Sequence, residues 1–67
     1  MKKIYISSDH AGFALKEYIK NFLIKKKINF TDIGPFSNNK VDYPDFAHKL
    51  AKKVQLNKKN MGILVCG

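Results

Sequence analysis

Within 67 residues the hydrophobic spacing switches repeatedly between strand-like and helix-like patterns, and this switching constrains the fold more than any other feature. In Lys3 to Ser7, Ile4 and Ile6 flank Tyr5, and the polar run Ser8-Asp9-His10-Ala11-Gly12 follows at once. This reads as a strand and a tight turn. From Gly12 to about Lys26, Leu15, Tyr18, Ile19, Phe22 and Leu23 recur at helical spacing, with Lys16, Glu17, Lys20 and Asn21 on the other side. Lys25, Lys26 and Lys27 then complement the negative end of the helix dipole. Ile28 to Ile33 is a second strand, closed by Gly34-Pro35 and the turn-forming Ser37-Asn38-Asn39. Pro44 suits a first helical turn and Asp45 its positive end, while Phe46, Ala47, Leu50, Ala51 and Val54 share one face of a helix reaching about Gln55. After Asn57-Lys58-Lys59-Asn60, the continuous apolar run Met61 to Cys66 suits a strand buried on both faces.

Strand, helix, strand, helix, strand implies right-handed crossovers and a parallel sheet in a single α/β unit. No repeat, low-complexity tract or linker divides it. A chain this short hides only about 60% of the surface it exposes unfolded, so its core is small. Three strands are few for such a sheet, and the pattern reads as the first part of a larger one.

One cysteine cannot form an intramolecular disulfide, and Cys66 with the distant His10 and His48 makes no structural zinc pattern. A reducing, cytoplasmic setting follows, with no metal expected. The apolar stretch after Met1-Lys2-Lys3 is too brief for a signal peptide, and no run approaches the roughly 20 residues of a membrane span.

The formal net charge of +8 comes entirely from lysine, without one arginine, the best bidentate reader of phosphate and guanine. These lysines fall at helix ends and on outer faces, with no interleaved stacking aromatics. Neither a nucleic acid nor a membrane surface is expected as partner.

In an open parallel sheet, ligands bind beyond the carboxyl ends of the strands, which here are Ser7 to Gly12 and Cys66-Gly67. Asp9 and His10 precede a helix start, where backbone N–H groups and the dipole favour an anion such as phosphate. On residue type alone the plainer use comes first, Asp9 as a helix cap and His10 as a turn residue. Cys66 alone reads as a core residue, but at a strand end a thiolate there can act as base or nucleophile, and Gly67 admits close approach. Tyr43 reads as loop packing, His48 as a solvated helix residue, and Lys58-Lys59 as a solvated turn. No Walker loop, dinucleotide fingerprint or nucleophile elbow is present.

Three segments in this order and spacing carry a resemblance: Ile6-Ser7-Ser8-Asp9-His10-Ala11-Gly12-Phe13 with Leu15-Lys16, then Asp42-Tyr43-Pro44-Asp45-Phe46-Ala47, then Gly62-Ile63-Leu64-Val65-Cys66-Gly67. Together they resemble the N-terminal half of the type B ribose-5-phosphate isomerases, a family that includes the galactose-6-phosphate isomerase subunits. The resemblance covers the whole chain but about half the family's usual length, so residues 1–67 are expected to be the N-terminal part of a single sugar-phosphate isomerase domain. It implies a Rossmann-like three-layer αβα fold and a homodimer with shared active sites. It also implies metal- and cofactor-independent interconversion of ribose 5-phosphate and ribulose 5-phosphate, in the pentose phosphate pathway, through an enediol.

By the same resemblance Cys66 is the base that shuttles the proton, and a thiol of ordinary pKa about 8.5 needs local positive potential for that task. Asp9 matches the carboxylate that contacts the sugar, His10 a histidine near the phosphate, Tyr43 a pocket-lining residue, and Gly67 part of the substrate-binding edge. The family's later glycine-rich loop, histidine and phosphate-clamping arginines lie beyond the matched segment, so no isomerase activity is expected of the 67 residues alone. A galactose-6-phosphate isomerase subunit and a non-catalytic basic module binding anions or nucleic acid are the alternatives.

Overall fold

The structure, a computed structural model, describes residues 2–37 and 43–67. Three strands and two helices follow in the expected order: β1 (Ile4–Ser8), α1 (Phe13–Lys25), β2 (Thr31–Gly34), α2 (Tyr43–Val54) and β3 (Met61–Val65). The sheet is parallel with order β2-β1-β3, so β1 alone is paired on both sides. Against β3 the register is regular from Ile4↔Met61 to Ser8↔Val65. Against β2 it slips after Ile6↔Asp32, and Ser7 faces Gly34. The connection from β1 to β2 runs one way across the sheet and that from β2 to β3 runs back, so right-handed crossovers put α1 and α2 on opposite faces.

Burial follows from this order. Central β1 contributes Tyr5, Ile6, Ser7 and Ser8 to the interior, joined by Leu23 of α1, Leu50 of α2 and Val65 of β3. The apolar face expected of α2 meets the sheet through buried Leu50 and half-buried Phe46, Ala47 and Val54, although Ala51 faces solvent, as does His48.

Three expectations need correction. The second strand begins at Thr31, not Ile28, because the helix end consumes the intervening residues. Lys27 adopts φ 58°. Its N–H donates to Ile24 O at 3.0 Å and the Ile28 N–H to Leu23 O at 2.9 Å, the paired bonds of a Schellman stop. Glycine usually fills that left-handed position, so a lysine there gave no stop signal.

The inward face of α1 is narrower than its apolar spacing suggests. Leu23 is buried and Ile19 half-buried, but Leu15, Tyr18 and Phe22 are 53%, 71% and 52% exposed. Lys16, expected on the solvent side, is instead fully buried. Positions 16, 19, 20 and 23 form the stripe that rests on the sheet, and a sheet of three strands leaves the neighbouring 15, 18, 22 stripe uncovered.

Finally, β3 is an edge strand and not buried on both faces: only Val65 is buried, while Met61 and Leu64 are exposed. The loop residues Asn38 and Asn39 and the family-like Asp42 lie outside the described residues.

Candidate active site

The carboxyl ends of β1 and β3 are fastened together by Asp9. Its N–H donates to Val65 O at 3.2 Å, extending the ladder one residue past β1. Its carboxylate accepts the Gly12 N–H at 2.7 Å through Oδ1. It also accepts the Gly67 N–H, at 3.1 Å through Oδ1 and 3.2 Å through Oδ2. One half-buried carboxylate thus ties the start of α1 to the segment that carries Cys66.

The glycines let these backbones meet. A Cβ on Gly12 would stand 2.6 Å from Val65 O, and one on Gly67 would overlap Ala11. Both positions exclude side chains because the turn before α1 lies directly on the end of β3. Asp9 also takes the Gly12 N–H at the mouth of α1, so at this amide the helix N-terminus already holds an anion of its own.

Beside this edge the structure places Cys66, exposed at the end of β3, and His10, exposed in the turn after β1. Asp9 and Gly67 are brought into direct contact. The Tyr43 side chain lies outside the described residues, although its backbone opens α2. Among the described residues no group of three or more His, Cys, Asp or Glu is placed to hold a metal ion. A cleft of about 290 Å³ lined by Lys2, Lys3, Tyr5, Asn29, Phe30 and Thr31 sits at the opposite, amino-terminal edge of the sheet.

An ionic cluster joins α1 to β2. Lys16 Nζ reaches Asp32 Oδ2 at 2.7 Å and Glu17 Oε2 at 3.0 Å, and Lys20 Nζ reaches the same two oxygens at 2.7 and 3.0 Å. Burial pushes the Asp32 carboxyl up, but hydrogen bonds from Lys16, Lys20 and the Gly34 N–H outweigh it and hold the group below the ordinary aspartate range. The Lys16 ammonium holds Glu17 low against its partial burial, with help from Lys20. The Asp32 carboxylate raises Lys20 above the ordinary lysine value, burial opposing and Glu17 assisting. Lys16 stands three, four and seven residues before Ile19, Lys20 and Leu23, the helical spacing of the stripe that rests on the sheet.

A parallel sheet wound in both directions, with a carboxylate joining two strand ends beside an exposed thiol, places the chain in the open α/β class, in which the ligand crevice lies beyond the carboxyl ends of the strands. Within that class the chain belongs to the Ribose/Galactose Isomerase family, whose pattern it matches over residues 4–67. It is 46% identical over 65 residues to ribose-5-P isomerase B of Listeria innocua, covering 97% of this chain and 44% of that protein. Against ribose-5-phosphate isomerase B of Escherichia coli the identity is 39%, over 100% of this chain and 45% of the relative. Its structure superposes on a ribose 5-phosphate isomerase of Thermotoga maritima with TM-score 0.90 and 49% identity, covering 97% of this chain and 45% of the other. The type B enzyme of Clostridium thermocellum gives TM-score 0.89 and 45% identity, over 100% of this chain and 45% of that one. The chain therefore spans a little under half the length of these relatives, and the three-strand unit is the fold they share with it.

Proposed function

We propose that this chain supplies the base and the sugar-contacting edge of an aldose–ketose isomerase that interconverts ribose 5-phosphate and ribulose 5-phosphate. The observation that carries the reading is the pair of hydrogen bonds from the Gly67 N–H to Asp9, which fixes the Cys66 segment against the turn holding Asp9 and His10. In the open-chain aldose the Cys66 thiolate takes the proton from the carbon beside the carbonyl. The resulting enediol is reprotonated at the former aldehyde carbon while the hydroxyl proton moves between the two oxygens. Only protons are transferred, so the chemistry needs no redox cofactor. Asp9 keeps further lone pairs for a sugar hydroxyl, His10 faces the phosphate, Tyr43 lines the pocket, and Gly67, close against Ala11, brings the Cys66 backbone up to the turn that holds Asp9 and His10.

The relatives' remaining length supplies the rest of the pocket in this reading, and the functional unit is a cytoplasmic homodimer. The exposed Leu15, Tyr18 and Phe22 stripe is consistent with burial against further protein. Because the family also embraces galactose isomerases, a six-carbon sugar phosphate is the second reading.

The test joins this chain at Gly67 to the remaining residues of the Escherichia coli relative and measures ketose formation from five- and six-carbon aldose phosphates. Cys66→Ala is expected to lower kcat by about 10²- to 10⁴-fold with substrate binding retained. Turnover within threefold of the parent would remove Cys66 as the base, and preference for the six-carbon substrate would select the second reading.

A further inference from the structure

Buried lysines are rare unless paired, and Lys16 is among the largest fully buried side chains of the chain. Its ammonium sits 2.7 Å from Asp32 Oδ2 and 5.1 Å from the centre of the Phe13 ring, in the first turn of α1. The other Asp32 oxygen accepts the Gly34 N–H at 2.8 Å. The Gly34 carbonyl in turn accepts the buried Ser7 hydroxyl at 2.8 Å. These bonds lie where the β1–β2 ladder slips register, between Ile6 and Ser7. There the end of β1 is joined to β2 by the Ser7 side chain as well as by the slipped ladder. Ser7 stands two residues before Asp9 and three before His10. Gly34 adopts φ +117°, and a Cβ there would stand 2.7 Å from the Phe46 ring, so the position takes glycine alone.

We infer that Lys16 is a positioning residue for the site: by holding Asp32 and the first turn of α1, it fixes the Gly34 carbonyl and thereby the direction in which Asp9 and His10 leave β1. This rests on the isomerase reading for its effect on catalysis, but the positioning itself is a property of this chain. Lys20 reaches the same Asp32 oxygen from a more exposed position, whereas the contact with the Phe13 ring is made by Lys16. Lys16 reaches no substrate. It acts through Asp32, and the requirement is charge balance at a half-buried carboxylate that must keep accepting from Gly34.

The experiment uses Lys16→Met, Asp32→Asn and the double variant. In ¹H–¹⁵N spectra of the 67-residue chain, Lys16→Met should shift the amides of Gly34, Ser7 to His10 and Gly67, and leave those of α2 from Lys49 onward in place. In the chain extended to its relatives' length, at a temperature where circular dichroism shows every variant folded, Lys16→Met should raise KM about tenfold with kcat within about threefold. The double variant removes both charges and keeps an amide oxygen for Gly34, so it should recover KM to within about threefold of the parent. Amide shifts confined to residues 13–20 and 32 would overturn the inference, as would an unchanged KM or a double variant no better than Lys16→Met. If the extended parent itself shows no isomerase activity, the functional reading fails while the amide shifts still decide the positioning.

Discussion

Replacing Asp9 removes the acceptor for two backbone donors at once. The short Gly12 bond, 2.7 Å and part-buried, is worth about 1.5 kcal/mol as a hydrogen bond to a charged acceptor. The longer, exposed Gly67 contact at 3.1 and 3.2 Å contributes about 0.5 kcal/mol. Asp9→Ala should therefore cost about 2 kcal/mol. That is a large share of the roughly 3–10 kcal/mol expected for a domain of 67 residues. With a urea m-value of about 1 kcal/mol/M for so small a protein, the midpoint should fall by about 2 M. Asp9→Asn retains an oxygen that can accept both N–H groups and should cost less than about 1 kcal/mol. Urea titrations followed by circular dichroism give both numbers, and amide exchange at Gly12 and Gly67 should quicken in the alanine variant alone. A midpoint change under about 0.5 M for Asp9→Ala, or an asparagine variant as unstable as the alanine one, would refute the clamp.

Gly12→Ala drives a methyl against Val65 O and should destabilise by about 1–3 kcal/mol, read as a fall in thermal midpoint of roughly 4–8 °C per kcal/mol. Lys27→Gly should do the reverse: relief of the left-handed strain, about 1–2 kcal/mol, exceeds the added freedom of glycine in the unfolded chain, for a net gain of about 0.5–1 kcal/mol in the same thermal scan. The ion pairs of Asp32, Glu17 and Lys20 should add stability between the unfolded carboxyl and lysine ranges and lose it at either end. The lowered Asp32 and Glu17 contribute above the unfolded carboxyl range and are lost as pH falls through their folded values. The raised Lys20 contributes below about 10.4 and is lost as pH rises through its folded value. Urea midpoints measured across pH, with Asp32→Asn flattening the acid limb, check the assignment.

The order of elements was legible because period-two and period-3.6 spacing report local burial, and β1 and α2 lie close to where their spacing puts them. The exact start of β2 was not, because a lysine fills the left-handed stop that glycine normally advertises. Burial across elements was legible only in part. Leu15, Tyr18 and Phe22 have the same spacing as the residues beside them, and only the width of the sheet decides which stripe is covered. The continuous run in β3 likewise reads as interior, yet strand order makes it an edge. At the site, Cys66 was visible as a strand-end thiol and Asp9 as a carboxylate before α1, but the N-cap of that helix is Gly12, without a side-chain cap, and Asp9 accepts the Gly12 N–H instead. That the Asp9 carboxylate would also hold the Gly67 amide depends on tertiary register, which spacing along the chain does not encode. The Lys16 to Ser7 chain was missed for the related reason that a lysine in a helix reads as solvent-facing until its buried partner is known.

The bond between Asp9 and Gly67 joins positions 58 residues apart. At a synthesis rate of about 5–20 residues per second, the Asp9 carboxylate exists for roughly 3–12 s before its partner amide has been made. Until then β1 can find only β2, since its second parallel neighbour is the last element of the segment to appear. The centre of the sheet is thus made first and completed last, and the proposed catalytic edge comes into being in the same step that gives β1 its second partner. Pairing of β1 with β3 and closure of the contact between Asp9 and Gly67 are, in time, one event.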